Sequence, residues 1–315
     1  MTVAFIFPGQ GSQAIGMGKA LFDSFAASRK IFEEVDEALG EKLSALIFEG
    51  DAALLQLTAN AQPALMAVSL AALRALESKA GVVLARDVKF VAGHSLGEYS
   101  ALAAAGALKI ADAARLLRLR GKAMQAAVPV GEGAMAALLG ADPELAEKIA
   151  GEAAAASGAV CAVANDNGGG QIVVSGARRA VELAIEIAKE NGVKRAMPLP
   201  VSAPFHCALM RPAADAMRDA LAATEIQPPV VDLVANVTAA PTRDPDEIRQ
   251  LLVAQVCGAV RWRECMGFMH DHGADLFVEI GAGKVLAGLV KRTAEGARSL
   301  NVGVPSDVES FKLTA

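Results

Sequence analysis

The residues best able to do chemistry lie in Gly93-His94-Ser95-Leu96-Gly97, a Gly-x-Ser-x-Gly pattern. The apolar run at residues 88–92 predicts a buried strand before it, and residues 98–105 predict a helix of small residues after it. Strand, sharp turn and helix form the context in which this pattern presents a nucleophilic serine. Glycines at both ends leave room for the strained turn. The Ser95 hydroxyl would then lie near the positive end of the helix, with the Leu96 N–H pointing at a developing oxyanion. The alternative is a glycine-rich connection in which Ser95 is only an N-cap.

A nucleophilic serine needs a base within hydrogen-bond reach, and the chain has four histidines. His94 lies inside the turn, and His270 and His272 flank Asp271 near the end of a predicted helix. His206 follows a proline-bounded loop and precedes a helix, which favours it as the base, with a structural histidine as the alternative. No acid is evident as a third member. The group that orients His206 could therefore be Asn236 or a backbone carbonyl near Gln255.

A second glycine-rich loop, residues 8–13, follows the apolar strand predicted at residues 3–7. Three interpretations stay open for it. Gly9-x-Gly11-x-x-Ala14 is a variant of the dinucleotide fingerprint, although Pro8 interrupts the step from strand to helix. The loop could also be a plain tight turn, or a backbone nest that offers N–H groups to an oxyanion.

Composition limits the class of protein. The 315 residues are 53% hydrophobic and only 4% aromatic, which favours helices of Ala, Val, Leu and Ile packed on a parallel sheet. A net charge of −5 argues against nucleic acid or an anionic membrane as partner. No apolar run reaches about 18 residues, so no membrane span is predicted. Four scattered cysteines predict neither disulfides nor a metal site, and a cytoplasmic location is expected.

The order of elements predicts an α/β fold of two parts. Residues 1–128 and 199–315 would form a hydrolase-like catalytic domain with a mostly parallel sheet. Between them, residues 129–198 read strand, helix, strand, strand, helix, strand, which predicts an inserted ferredoxin-like (βαββαβ) domain. Further strands are expected at residues 230–237 and, as the last one, 276–280. The polar tail after about Asn301 is expected to be loosely attached.

A predicted helix at residues 110–124 carries four basic residues, for which a solvated basic face is the default interpretation. They are Arg115, Arg118, Arg120 and Lys122.

Five separated motifs, in order along nearly the whole chain, resemble the malonyl-CoA:acyl carrier protein transacylases of bacterial type II fatty-acid synthesis, relatives of polyketide-synthase acyltransferase domains. The motifs occupy residues 7–13, 93–102, 120–124, 205–210 and 278–286. The resemblance implies a dyad in which Ser95 is the nucleophile and His206 the base. It also implies that the N–H groups of Gln10 and Leu96 form the oxyanion hole.

The same resemblance implies the surroundings of the dyad. Gln255 would orient His206 through its main-chain carbonyl, and Asn236 would line the pocket. Arg120 would hold the malonyl carboxylate, which a planar guanidinium can pair through both oxygens. The bulk of Phe205 would exclude an α-methyl branch. The chain lacks the proline that relatives usually have before Val260, so the local backbone near Gln255 is where it departs from the pattern.

The resemblance implies ping-pong transfer of malonyl from malonyl-CoA to the phosphopantetheine thiol of holo acyl carrier protein, with no bound cofactor and no metal. We expect a monomer. A trans-acting polyketide-synthase acyltransferase is the main alternative; a serine thioesterase or other hydrolase, and a non-catalytic module that binds carrier proteins, are less favoured. An acidic carrier protein would need a local basic patch, for which the candidates are Arg115, Lys122, Lys284, Lys291 and Arg292.

Overall fold

The structure, a computed structural model, describes residues 2–312. The strands in chain order are β1 (Thr2–Phe7), β2 (Phe90–Gly93), β3 (Gly133–Leu139), β4 (Cys161–Asp166), β5 (Gln171–Ala177), β6 (Arg195–Pro198), β7 (Asp232–Val234), β8 (Pro241–Thr242), β9 (Ala274–Ile280) and β10 (Arg298–Val302).

The helices follow the same order, with one 3-10 helix at Ala208–Met210. They are α1 (Lys19–Ser24), α2 (Ala26–Leu39), α3 (Leu43–Glu49), α4 (Ala52–Gln56), α5 (Thr58–Ala80), α6 (Leu84–Asp87), α7 (Gly97–Ala104), α8 (Ile110–Ala126), α9 (Pro143–Ser157), α10 (Arg178–Glu190), α11 (Arg211–Ala222), α12 (Pro245–Cys257), α13 (Trp262–Asp271), α14 (Val285–Thr293) and α15 (Pro305–Ser310).

The larger sheet has six strands in the order β10-β9-β1-β2-β7-β8. All neighbours are parallel except the last pair, β7 and β8. The central strands are apolar because helices cover both faces of a parallel sheet; residues 3–7 of β1, for example, are buried. In β1 and β2, Phe7 is level with Gly93. The two glycine-rich loops therefore leave the sheet side by side at its carboxyl edge, where ligands bind in such sheets.

The smaller sheet is antiparallel, in the order β4-β5-β3-β6, and α9 and α10 pack on it. On α10, Ala180, Ala184 and Ala188 recur four residues apart and are buried, so the helix turns one face to the sheet. This is the predicted βαββαβ arrangement. The predicted fold class, a mostly parallel sheet with a separate small α/β unit, is confirmed; the domain boundaries at residues 128 and 199 stay a prediction.

Two details of the sequence prediction are wrong. The strand predicted at residues 230–237 is only three residues long: at one end the Val230 N–H donates to the Ala105 carbonyl, and at the other the Asn236 N–H donates to the Glu98 carboxylate. The segment at 276–280 is not the last strand either. β10 pairs with β9 at the sheet edge, and α15 follows with Val308 buried in the main core, so the chain from Asn301 to Phe311 is firmly packed. The end of the predicted tail, residues 313–315, lies outside the described residues.

Within residues 2–312, we find no helix with the length and apolar character needed to cross a bilayer.

Candidate active site

The turn after β2 is as tight as the motif predicts. A Cβ on Gly93 would lie 1.9 Å from the Gly97 carbonyl carbon, and a Cβ on Gly97 would lie 2.3 Å from the Phe7 carbonyl oxygen. Neither position has room for a side chain. Between them Ser95 has φ of +53°, a left-handed backbone conformation rare for a residue with a Cβ. The close packing of backbone around both glycines holds the serine in this strained conformation at the start of α7.

The Ser95 hydroxyl meets the ring of His206. Ser95 Oγ lies 2.8 Å from His206 Nε2, and His206 Nδ1 lies 2.9 Å from the Gln255 carbonyl oxygen and 3.1 Å from that of Gly258. Carbonyl oxygens only accept, so Nδ1 must carry the proton and Nε2 is free to accept from the hydroxyl. His206 also has positive φ, +59°. Of the two candidates for orienting the base, the backbone carbonyl at Gln255 is the one in contact.

His206 is 4% exposed, and its surroundings keep it neutral. Burial, and next the positive charge of Arg120, lower the pKa of His206 to about 3. The imidazole is therefore ready to accept a proton across the neutral pH range.

Arg120 is not on a solvated basic face, contrary to the default interpretation of its helix: it is 1% exposed. Its Nη2 lies 3.2 Å from Ser95 Oγ and donates at 2.9 Å to Gln255 Oε1, while Nη1 donates at 2.8 Å to Gln62 Oε1. None of the ion pairs found among residues 2–312 includes Arg120, and its Nε has no hydrogen-bond partner there. A buried cation whose hydrogen-bond partners are all neutral groups can bind an anion directly.

The Asn236 side chain forms hydrogen bonds to the turn around Ser95 and does not orient His206. Its Oδ1 accepts the Ser95 N–H at 2.8 Å, and its Nδ2 donates at 2.8 Å to the Gly93 carbonyl. These two bonds join the end of β2 to the strained serine.

Glu98 is the residue that sequence reasoning missed. It is fully buried, and its Oε2 accepts the Asn236 N–H at 2.8 Å and Gln255 Nε2 at 3.2 Å. Burial raises the pKa of its carboxyl to about 7. A signal existed: Glu98 is the one charged residue in helix α7, whose other residues are all neutral.

The predicted oxyanion-hole residues belong to the two adjacent loops. Leu96 immediately precedes α7, so its N–H is at the positive end of that helix. A Cβ on Gly9 would lie 2.8 Å from the His94 carbonyl oxygen, so the loop that carries Gln10 rests on the turn. The Gln10 side chain exchanges hydrogen bonds with Thr58 Oγ1, at 3.2 and 3.3 Å.

The other histidines have different partners. His94 Nε2 lies 2.8 Å from Asn167 Oδ1 of the smaller unit. His270 and His272 bind carbonyl oxygens near the end of α13. Phe205 is buried beside His206.

The smaller unit contacts the chain close to the base. The Asp166 N–H donates to the Val260 carbonyl, and the Val260 N–H donates to the Ala164 carbonyl, at 3.0 and 2.9 Å. Arg263 and Asp166 add an ion pair at 2.8 Å. The segment that follows Gln255 is thereby held against β4, without the proline expected before Val260.

The candidate basic docking residues lie on two helices, two on α8 and three at the two ends of α14. All five are exposed: Arg115, Lys122, Lys284, Lys291 and Arg292. Their role stays a prediction. Across residues 2–312, no three His, Cys, Asp or Glu side chains cluster as metal ligands would; the expectation of no metal likewise stays a prediction.

Comparisons with known proteins show the family to which the chain is similar. The family described as "Acyl transferase domain" matches residues 4–310. The malonyl CoA-acyl carrier protein transacylase of Bacillus subtilis is 47% identical over 307 residues, which cover 98% of this chain and 95% of the relative.

Solved structures of malonyltransferases are also similar to this chain. The acyl-carrier-protein-S-malonyltransferase from Bartonella henselae has a TM-score of 0.95 and 56% identity, covering 98% of both chains. A malonyl-transacylase solved with its type II PKS acyl-carrier protein has a TM-score of 0.93 and 40% identity, again covering 98% of both chains.

Proposed function

Because this chain belongs to the acyl transferase domain family, we propose that it transfers the malonyl group of malonyl-CoA to the phosphopantetheine thiol of acyl carrier protein, in fatty-acid synthesis. Its likeness to malonyl CoA-acyl carrier protein transacylases over nearly the full length of both chains supports this activity. The observation that carries it is the buried guanidinium of Arg120, 3.2 Å from the hydroxyl that His206 activates. A malonyl group has one carboxylate more than an acetyl group, and Arg120 is where that carboxylate pairs.

In the first half-reaction Ser95 Oγ attacks the thioester carbonyl carbon while His206 Nε2 takes the hydroxyl proton. The N–H groups of Leu96 and Gln10 donate to the oxyanion of the tetrahedral intermediate. His206 then gives its proton to the departing CoA sulfur. The malonyl group remains as an ester on Ser95.

In the second half-reaction the thiol of the carrier protein's phosphopantetheine gives its proton to His206 and attacks the ester. Collapse of the intermediate returns the proton to Ser95. His206 needs no carboxylate partner, since the carbonyl oxygens of Gln255 and Gly258 fix its orientation and its tautomer.

Substrate choice follows from the pocket walls. Arg120 selects the carboxylate, because a substrate without one leaves the buried guanidinium without an anion. Phe205 excludes an α-methyl branch. The exposed basic side chains Lys284 and Arg292 are candidates for docking an acidic carrier protein. We further propose a cytoplasmic monomer without a bound cofactor.

A polyketide-synthase acyltransferase is the second candidate, because one of the similar structures is a transacylase in complex with a type II PKS acyl-carrier protein. The chemistry at Ser95 is the same and only the acceptor differs. Competition between a fatty-acid and a polyketide carrier protein for the malonylated chain decides between them: preferential transfer to the polyketide carrier would replace the fatty-acid assignment.

Intact mass spectrometry tests the activity. Brief exposure to malonyl-CoA should add one malonyl group to the wild-type chain and none to Ser95→Ala. Addition of holo carrier protein should remove it without release of free malonate. Free malonate as the main product would instead identify a hydrolase, and the absence of any adduct would refute the proposal.

A further inference from the structure

Two opposite charges are buried behind Ser95, and they are not in contact. Arg120 is 1% exposed and Glu98 is 0% exposed. The side chain of Gln255 separates them: its Oε1 accepts from Arg120 Nη2 at 2.9 Å, and its Nε2 donates to Glu98 Oε2 at 3.2 Å. When it is ionised, Glu98 is therefore the counter-charge of Arg120, held one amide away, and the buried pair is then neutral in sum.

The two oxygens of Glu98 differ. Oε2 accepts the Asn236 N–H and Gln255 Nε2, whereas Oε1 has no hydrogen-bond partner within residues 2–312. A proton on Oε1 would break neither bond. The carboxyl can thus change its charge while Gln255 and Asn236 stay in place.

Of the groups around it, Glu98 is the one poised to titrate near neutral pH. Burial raises the pKa of Glu98 to about 7, against the opposing effects of its hydrogen bonds and of Arg120. Arg120, on α8, stays charged. Burial keeps the remaining facing groups neutral, by raising the pKa of the acids and lowering that of the bases: Tyr99 on α7, Cys265 on α13, and the rings of His94 and His206.

On the proposed function, in which the malonyl carboxylate occupies Arg120, we propose that Glu98 takes up a proton from solvent when that carboxylate binds. Without the proton, two buried anions would share one cation, and a second like charge raises the pKa of a carboxyl. Glu98 is thus a positioning residue whose protonation restores the neutral sum at the site.

The transfer chemistry itself leaves the proton count unchanged. The Ser95 hydroxyl proton passes through His206 to the sulfur of CoA, and a thiol with a pKa of about 8.5 keeps it near pH 7. Proton uptake that accompanies malonyl binding therefore reports on a group of the protein. The carboxylate of malonyl is the only ligand feature that acetyl-CoA lacks, so acetyl-CoA is the matched control.

The test uses Ser95→Ala, which binds without reacting. Calorimetric titration with malonyl-CoA in buffers of different ionisation enthalpy gives the number of protons taken up. Uptake is bounded by the ionised fraction of Glu98, about one half at pH 7 and about nine-tenths at pH 8. The Kd of malonyl-CoA should rise about fivefold from pH 7 to pH 8, and acetyl-CoA should show neither effect.

Adding Glu98→Gln to Ser95→Ala identifies the proton's site. Glutamine keeps an oxygen to accept from Asn236 and Gln255 and cannot titrate, so uptake should vanish and the Kd should become independent of pH. Uptake that persists in this variant would place the proton on a group other than Glu98 and overturn the proposal. Equal uptake with malonyl-CoA and acetyl-CoA would overturn it too, and that comparison does not depend on how the glutamine variant folds.

Failure of the proposed function can be distinguished from failure of the proton coupling. Wild-type chain that acquires no malonyl group refutes the malonyl activity, and the proton coupling with it. A chain that acquires the malonyl group but takes up no proton refutes the coupling alone.

Discussion

Removal of the Arg120 guanidinium should change substrate choice more than it changes acyl transfer. In Arg120→Ala, the malonyl carboxylate would enter a buried pocket with no cation. The substitution also leaves the amide oxygens of Gln62 and Gln255 without their donors. Displacement of Gln255 would disturb His206 equally for every substrate. The ratio of kcat/KM for malonyl-CoA to kcat/KM for acetyl-CoA therefore reports only the loss of the charge pair.

The magnitude follows from burial. Truncating one partner of a buried, hydrogen-bonded charge pair costs about 3–5 kcal/mol. At about 1.36 kcal/mol for each factor of ten, kcat/KM for malonyl-CoA should fall by about 10² to 10⁴. Acetyl-CoA forms no such pair and should lose only the shared disturbance. The malonyl-to-acetyl ratio should therefore drop at least about a hundredfold.

The assay measures acyl transfer to holo carrier protein from malonyl-CoA and from acetyl-CoA. Arg115→Ala is the matched control, because this arginine lies on the same helix but is exposed and bonded to Asp112. It should leave the ratio unchanged. Arg120→Lys should give an intermediate ratio, since an ammonium keeps the charge but not the planar pair of donors. Equal losses for both acyl donors in Arg120→Ala would show that Arg120 acts on the fold of the site and not on the carboxylate.

Three further predictions concern the turn and the base. Gly93→Ala should lower the free energy of unfolding by about 3 kcal/mol or more, because its Cβ would meet backbone at 1.9 Å. Gly267→Ala, in open space on α13, should instead raise the free energy of unfolding by about 0.5–1 kcal/mol. Chemical denaturation measures both values, and an alanine tolerated at residue 93 would contradict the geometry of the turn. With a His206 pKa of about 3, the rate of single-turnover acylation should change less than about twofold between pH 6.5 and pH 5. A base with a pKa of 6.5 would instead slow the reaction about fifteenfold over this range. A decrease of that size would contradict the buried neutral ring. Because the pKa in the folded chain is below that in the unfolded chain, the unfolded chain binds more protons below about pH 6.5, so wild type should lose about 2 kcal/mol of stability relative to His206→Gln between pH 7.5 and 5.

The sequence predicts the parts of the fold that local pattern controls. Apolar strands before glycine turns locate β1 and β2, and alternation of strands with helices predicts the βαββαβ unit. β10 was not predicted because it is a polar strand at the edge of the sheet. An edge strand needs no continuous apolar run, which is the pattern that located the other strands of this sheet. Beyond the carboxyl end of β7, the backbone N–H of Asn236 donates to a side chain 138 residues away, that of Glu98. Periodicity cannot foresee such a partner.

The same limit applies to the site. Ser95 stands out by its motif and His206 by elimination, but the burial of Arg120 depends on how α8 packs against α5 and on the side chains of Gln62 and Gln255. Helical spacing places Arg120 among three other basic residues and gives no hint that it points inward. The role of the Gln255 carbonyl is equally invisible, since every residue has one.

The left-handed backbone conformation at both Ser95 and His206 lowers the stability of the fold at the two residues that the reaction needs. Each such residue costs about 1–3 kcal/mol, which glycine would not incur. Selection of variants for thermal tolerance alone would therefore reward the replacement of either residue by glycine, and would enrich inert proteins. A screen that aims at a hardier catalyst has to score turnover in the same round.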